Sequence, residues 1–137
     1  MVEINLTSNA EILGIEGDKH PLPLYMQFNV PVALSTDDEG VLRTSLTEQY
    51  QRAILTYHFS YPTIKNLVRN SIYYSFLPGK NLWNDEKYSG LNSACAKDSL
   101  AAKTVSPSCQ TFLNNNEKAA MQWDLEKRFF DFEKQAI

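Results

Sequence analysis

The spacing of hydrophobic residues changes along this chain, and the change predicts where strands give way to helices. Apolar residues alternate with other residues at positions 2–6 and 32–36, which predicts two short strands. The small polar residues 7–9 predict a break after the first strand, and residues 14–18 predict a loop. His20-Pro21 then predicts the start of a helix that runs to about residue 29. The expected buried face of this helix consists of Leu22, Leu24, Tyr25 and Phe28.

Helical spacing dominates the remainder of the chain. Ser45 followed by Glu48 predicts the start of one helix, and a second is expected to begin near Tyr61 and to end at Pro78. Residues 117–135 predict the last helix. The expected inward-facing positions of these three helices are, in order, Leu46, Tyr50, Ile54, Leu55 and Phe59; Ile64, Leu67, Val68, Ile72 and Phe76; and Met121, Leu125, Phe129 and Phe132.

The order of strand, helix and strand favours parallel βα units. A parallel sheet needs neighbouring strands and a cover on both faces, and two strands cannot supply either. A complete (β/α)8 barrel takes about 250 residues, whereas this chain has 137. The sequence therefore predicts the tail of a larger α/β domain.

Composition and charge argue against several classes of protein. The formal net charge is −3 and no basic cluster is present, so we expect no nucleic-acid partner. No apolar run approaches the roughly 20 residues that span a membrane, so we expect no membrane partner. The first residues lack the basic and apolar regions of a signal peptide.

The chain has two cysteines, Cys95 and Cys109, which bracket a stretch rich in Ala, Ser and Lys. An even count around one loop predicts a disulfide, and with it an oxidising compartment, periplasmic or extracellular. The alternative is a pair of free thiols in a cytoplasmic protein, and spacing alone does not decide between the two. Neither cysteine belongs to a Cys-x-x-Cys pair, which argues against a zinc knuckle.

The candidate chemistry lies at the end of the second predicted strand. There the apolar run stops abruptly at two adjacent carboxylates, Asp37 and Asp38. The carboxyl ends of strands are where α/β enzymes place ligands and metals, and a fold that keeps two neighbouring like charges near a cavity usually neutralises them with a cation or a proton. The same Asp-Asp-Glu-Gly run is also a good solvated turn with no chemical role.

Three stretches carry a family resemblance: VEINLTSN at residues 2–9, HPLPLY followed by VPVALSTDD within residues 20–38, and RNSIYYSFLP at residues 69–78. Together they resemble the C-terminal third of adenosine deaminases, most of all the secreted, growth-factor-type branch and its bacterial relatives. The resemblance implies an α/β fold in which residues 1–83 form the last two strands and helices of a (β/α)8 TIM barrel. Residues 84–137 would then form a C-terminal helical extension that contains the cysteine-bracketed loop.

The resemblance also implies an activity and a role for each aspartate. It implies part of a metal-dependent hydrolase that converts adenosine, or a close purine nucleoside, to inosine and ammonia. Asp37 would ligate one divalent metal, normally zinc, which activates water for attack on C6 of the purine. Asp38 would bind the substrate by a hydrogen bond to N7 of the purine ring. Both residues would be catalytic.

The resemblance places the other metal ligands, which are histidines, outside this chain. Of the two histidines here, His20 is expected to cap or pack and His58 to face solvent. The chain would thus need the remainder of the barrel as a partner and would be inactive alone. The alternative, from a different class, is a small helical interaction or scaffold module in which the two aspartates only form a turn.

Three further features have both a functional and a structural interpretation. Glu39 stands where many deaminases have proline, and it either tunes the site or is a solvated loop residue. The sequon at Asn5 lies on a predicted interior strand, which argues against glycosylation. Trp123 is expected to pack the last helix onto the barrel wall. Four aromatic residues could line a purine pocket or belong to the core, namely Tyr73, Tyr74, Phe76 and Trp83.

Overall fold

A computed structural model describes residues 1–135 of the chain. Its sheet has two parallel strands, β1 (Val2–Ile4) and β2 (Val32–Leu34), in which Val2 pairs with Val32 and Ile4 with Leu34. The predicted parallel pairing is confirmed, although both strands are shorter than the pattern suggested. Because the strands are parallel and in register, their carboxyl ends, which are followed by Asn5 and Ser35, lie at the same edge of the sheet.

The segment between the strands contains one helix that the sequence did not predict. Helix α1 (Leu6–Leu13) begins directly after β1, where small polar residues suggested only a break. It ends at Gly14, whose left-handed backbone lets its N–H bond the carbonyl of Ala10. A 3-10 turn (Gly17–Lys19) and helix α2 (Leu22–Gln27) complete the connection to β2.

The core of the first part of the chain forms around the sheet. Leu22 is fully buried, as expected, but Leu24 on the same helix and Phe28 just after its end are exposed, because α2 is too short to present all four predicted residues to one side. The side-chain amide of Asn70 donates to the carbonyl of Val32 at 2.7 Å and so fastens a later helix to β2. The buried members of this core are Ile4, Leu6, Leu22, Val32, Leu34, Ala53 and Leu67.

Three helices follow β2: α3 (Glu39–Leu42), α4 (Leu46–Tyr57) and α5 (Tyr61–Tyr73). The α4 helix begins at the predicted capping box of Ser45 and Glu48. Its buried residues are Gln49 and Ala53, whereas the predicted inward residues Leu46, Ile54 and Leu55 are exposed. The buried side-chain amide of Gln49 forms hydrogen bonds with Thr7 in α1. These bonds need the Gln49 face of α4 to point inward, so most of the predicted apolar face is exposed.

The chain divides into two compact units, residues 1–71 and residues 72–137. The second unit contains α6 (Pro107–Asn114), which the sequence did not predict, and α7 (Glu117–Gln135), whose predicted bounds are confirmed. A disulfide joins Cys95 to Cys109, with the two Cα atoms 4.5 Å apart. The predicted domain boundary after residue 83 is based on where the family resemblance ends and not on packing, and it stays a prediction.

The core of the second unit differs from the predicted one. Trp123 packs inside this unit, but Met121 and Phe132 on the same helix are exposed, and Phe76 lies in an exposed turn beyond the end of α5. The buried core residues are Leu82, Trp83, Cys95, Cys109, Leu113, Ala119 and Trp123. Within residues 1–135, no helix combines the length and the apolar character needed to cross a membrane.

Candidate functional site

Asp37 occupies a defined position just beyond the carboxyl end of β2. Its backbone is left-handed, with φ +55°, a conformation that aspartate tolerates better than most residues. The hydroxyl of Ser8, which is buried in the first turn of α1, donates to Oδ2 of Asp37 at 2.7 Å. The segments that follow the two parallel strands are therefore joined by a hydrogen bond to the carboxylate.

Asp38 has a different environment from its neighbour. It precedes α3 and its carbonyl accepts from the N–H groups of Val41 and Leu42. An aspartate at this position usually caps the helix with its side chain, but the Asp38 carboxylate makes no capping hydrogen bond. Both aspartates are exposed, but their carboxylates differ: Ser8 binds that of Asp37, and that of Asp38 does not cap its own helix.

His20 is buried and packs within the first unit, as the sequence predicted. Its Nδ1 accepts from the N–H of Leu22 at 3.0 Å, which caps the start of α2. Because Nδ1 is an acceptor, the proton lies on Nε2, which donates to Oδ1 of Asn9 at 2.9 Å. Both ring nitrogens are occupied, so His20 is not arranged as a metal ligand. His58 ends α4 and is exposed, also as predicted.

The comparison with known families bears on this arrangement. The sequence profile of a family described as adenosine deaminase matches residues 1–84, which is more than half of the chain and includes Ser8, His20 and both aspartates. The chain belongs to the adenosine deaminase family. The parallel strands and helices of the first unit are consistent with part of the family's barrel.

Curated relatives support the same assignment over the same region. An N6-methyl-AMP deaminase from Danio rerio is 35% identical over 78 residues, which are 56% of this chain and 22% of the relative. An adenosine deaminase from Clostridium perfringens is 31% identical over 70 residues, which are 50% of this chain and 21% of the relative. This adenosine deaminase family chain therefore spans about a fifth of the length of the relatives it matches. No solved structure matches it significantly.

Zinc, which the family generally uses, can be tested against the donors present. Among residues 1–135, no three His, Cys, Asp or Glu side chains are grouped so as to hold a metal ion. Asp37 nevertheless suits a single ligand position: Oδ2 accepts the Ser8 hydroxyl, and no hydrogen bond from the described residues reaches Oδ1. A carboxylate oxygen is a normal zinc ligand. The site fits the metal in part, with one ligand from this chain.

Two polar residues near the aspartates were not foreseen from the sequence. Ser8 was assigned to a break and is the hydrogen-bond partner of Asp37. Gln49 was not among the positions expected to face inward, yet it is fully buried and makes three hydrogen bonds to the segments that follow the strands. Alternation and helical spacing register only apolar positions, so neither residue carried a signal that those patterns detect.

Of the four aromatic residues considered for a purine pocket, Tyr73, Tyr74 and Trp83 make aromatic contacts within the second unit. Trp83 is buried and makes an edge contact with Tyr88, and Tyr73 contacts both Tyr74 and Tyr88. Phe76 is exposed. The carbonyl oxygen of the Asn5 side chain is buried without a hydrogen-bond partner among the described residues. Asn5 lies just after β1 rather than on the strand, and the expectation against glycosylation stays a prediction.

Proposed function

We propose that this chain supplies the final part of a metal-dependent hydrolytic deaminase that acts on adenosine or a close purine relative. The observation that carries the proposal is the Asp37 carboxylate, held by Ser8 at the carboxyl edge of two parallel strands. Family membership supports the reaction class. The relatives' names, adenosine deaminase and N6-methyl-AMP deaminase, support a purine with a nitrogen substituent at C6.

We assign Asp37 to the metal. Its Oδ1 would provide one ligand of a single zinc ion, and the remaining ligands would come from parts of the enzyme outside this chain. Zinc bound in such a site supplies Lewis acidity, which brings the pKa of a water molecule to about 7. The Ser8 hydroxyl holds the carboxylate in one rotamer, so that Oδ1 points consistently to one place.

We assign Asp38 to the substrate. Its side chain follows that of Asp37 directly, and a carboxyl group at this position can form a hydrogen bond to a ring nitrogen of a purine. Because the Asp38 carboxylate does not cap α3, it is available to form this hydrogen bond to the substrate. Glu39, exposed in the first turn of α3, adds charge at the rim of the same site.

Three alanine substitutions in the complete enzyme that contains this chain test the proposal. Asp37→Ala should lose tightly bound zinc and nearly all deamination. Asp38→Ala should keep its zinc but lose roughly ten- to a hundredfold in turnover efficiency, since a hydrogen bond to a charged group contributes about 1.5–3 kcal/mol. Metal analysis and the absorbance change on deamination measure the two quantities. Asp131→Ala, on the exposed surface of α7, is the matched control and should change neither.

Three outcomes would contradict the proposal. If Asp37→Ala kept full zinc content and activity, the metal assignment would be wrong. If the purified 137-residue chain deaminated adenosine by itself, the remaining ligands would not lie outside it. Equal loss of zinc in both aspartate variants would overturn the division of roles between the neighbouring residues.

A further inference from the structure

Gln49 is a buried amide whose hydrogen bonds link three segments of the first unit. Its Oε1 accepts from the N–H of Thr7 at 3.0 Å. Its Nε2 donates to the hydroxyl of Thr7 at 2.8 Å and to the hydroxyl of Thr44 at 2.9 Å. Both amide protons and one oxygen lone pair are thus used, inside a site with no exposure to solvent.

These contacts close a ring that includes the proposed metal ligand. Thr7 is joined by a peptide bond to Ser8, whose hydroxyl binds Asp37. From Asp37 the chain continues to Glu39, whose carbonyl accepts from the N–H of Thr44 at 3.3 Å. Gln49 binds both Thr7 and Thr44 and therefore connects the two sides of the ring.

The left-handed backbone at Asp37 is less favourable than an ordinary helical or extended one. Such a conformation costs most residues with a side chain about 1–2 kcal/mol, although aspartate less, and the adjoining helix, α3, has only four residues to hold it. The segment on the other side is the start of α1, where the backbone N–H and the hydroxyl of Thr7 are bonded to Gln49 in α4. The α4 helix is the longest element bonded to both segments, and Gln49 is its point of contact.

We propose that Gln49 is a positioning residue for the metal site: its amide clamps the start of α1 to the segment after α3 and thereby keeps Asp37 in the left-handed conformation that its bond to Ser8 requires. The inference rests on the proposed function for its biological meaning. Its geometry is tested without any measurement of deamination, so a failure of the deaminase proposal and a failure of the clamp are distinguishable.

The test compares two buried glutamines by NMR spectroscopy of the 137-residue chain. Gln49→Met removes the clamp with little change in volume. Gln122→Met is the matched control, because Gln122 is equally buried and also holds backbone, accepting from the N–H of Leu82 at 2.7 Å, but in the second unit. The readout is the strong nuclear Overhauser cross-peak between the HN and Hα protons of Asp37, which is typical of a left-handed backbone.

We expect Gln49→Met to lose this cross-peak and to shift the resonances of Ser8. It should also lower the exchange protection of the Thr7 amide by at least about tenfold, since a buried amide is left without its acceptor. Gln122→Met should leave the Asp37 cross-peak, the Ser8 resonances and the protection of the Thr7 amide unchanged, while it destabilises the second unit. Persistence of the Asp37 cross-peak in folded Gln49→Met would overturn the proposal.

A second variant keeps the test decisive if Gln49→Met does not fold. Thr44→Val is nearly isosteric and cuts the ring at one point, leaving the two bonds between Gln49 and Thr7 in place. We expect a weakened Asp37 cross-peak and an unchanged Thr7 amide. An Asp37 signal identical to that of the parent chain would refute the clamp.

Discussion

At the scale of the residue, His20 shows how one side chain fixes the path between the strands. Its two nitrogens bind Asn9, within α1, and Leu22, at the start of α2. Protonation of Nδ1 would replace an acceptor with a donor that faces the N–H of Leu22. Burial acts in the same direction, since it lowers the pKa of His20 below its ordinary value of 6.5.

This arrangement makes the stability of the first unit depend on pH. As pH falls below about 6.5, His20 becomes protonated in the unfolded chain, whereas in the folded chain it is protonated only at lower pH. The free energy of unfolding therefore falls as pH falls from about 6.5 to the pKa of His20 in the folded chain. Above about 6.5 the contribution is fully present. We expect His20→Gln to flatten this dependence, and His58→Gln, at an exposed position, to leave it intact. Exchange of the Ser35 amide, which donates to Ile4, measures the unfolding; an unaltered slope in His20→Gln would contradict the assignment.

Single residues also show where sequence reasoning reaches its limit in the site. The run that ends in Asp37 and Asp38 could be singled out as candidate chemistry, because an apolar strand stops there at two adjacent carboxylates, although the same run also suits a solvated turn. The roles of Ser8 and Gln49 were not, because each depends on a partner 29 or 42 positions away in the chain. A polar residue on a helix is usually solvated, and only tertiary contact reveals the exception.

At the scale of the element, α4 is the helix whose start was best encoded. The Ser45 side chain accepts from the N–H of Glu48, and the Glu48 carboxylate accepts from the N–H of Ser45 at 2.6 Å. The backbone N–H of Ser45 is the main reason why the pKa of the Glu48 carboxyl is lowered. The pKa of Glu48 is lower in the folded chain than in the unfolded chain. The capping box therefore contributes its full stabilisation above the unfolded pKa, and this contribution is lost as pH falls through the folded pKa.

Ser45→Ala should therefore destabilise the chain by about 1 kcal/mol, the usual cost of losing a serine cap. Urea denaturation followed by circular dichroism measures the change. Ser71→Ala is a suitable control: Ser71 is an exposed serine on α5 whose hydroxyl donates to the carbonyl of Val68. Alanine is the better helix former there, so that variant should be neutral or slightly more stable. An equal loss in both variants would mean that the cap contributes nothing specific.

Other elements escaped prediction for physical reasons that differ. Residues 7–9 favour caps and turns in isolation, but Thr7 and Ser8 are buried, and the hydrogen bonds between Thr7 and Gln49 of α4 stabilise this segment inside α1. The exposure of Ile54 and Leu55 on α4 has a related cause, because the amide of Gln49 determines which face turns inward. Propensity and apolar spacing thus placed α7 correctly but misassigned the buried faces.

At the scale of the whole molecule, two units with separate cores make up one chain. The family match covers the first unit and ends at residue 84, while both cysteines lie in the second. The second unit also contains both tryptophans, and each is buried in its core. Tryptophan fluorescence therefore reports on the second unit, and amide exchange in the sheet reports on the first.

The disulfide should stabilise the second unit selectively. Its cysteines are 14 positions apart, and a loop of this size is assigned about 3 kcal/mol by the chain-entropy model. We expect the double variant Cys95→Ala with Cys109→Ala to lower the free energy of unfolding of the second unit by about this amount. The change should appear as a lower urea midpoint when unfolding is followed by tryptophan fluorescence. Both sulfurs are fully buried, so in the parent chain dithiothreitol alone should act slowly until urea opens this unit.

The sheet of the first unit supplies the control for the same experiment. The first unit contains no cysteine, so exchange of the Ser35 amide should not change in the double variant. An unchanged tryptophan midpoint would show that the bond contributes no net stability. A fall in Ser35 protection as large as the loss in the second unit would show that the two units unfold together, because a bond confined to one of them would then be stabilising both.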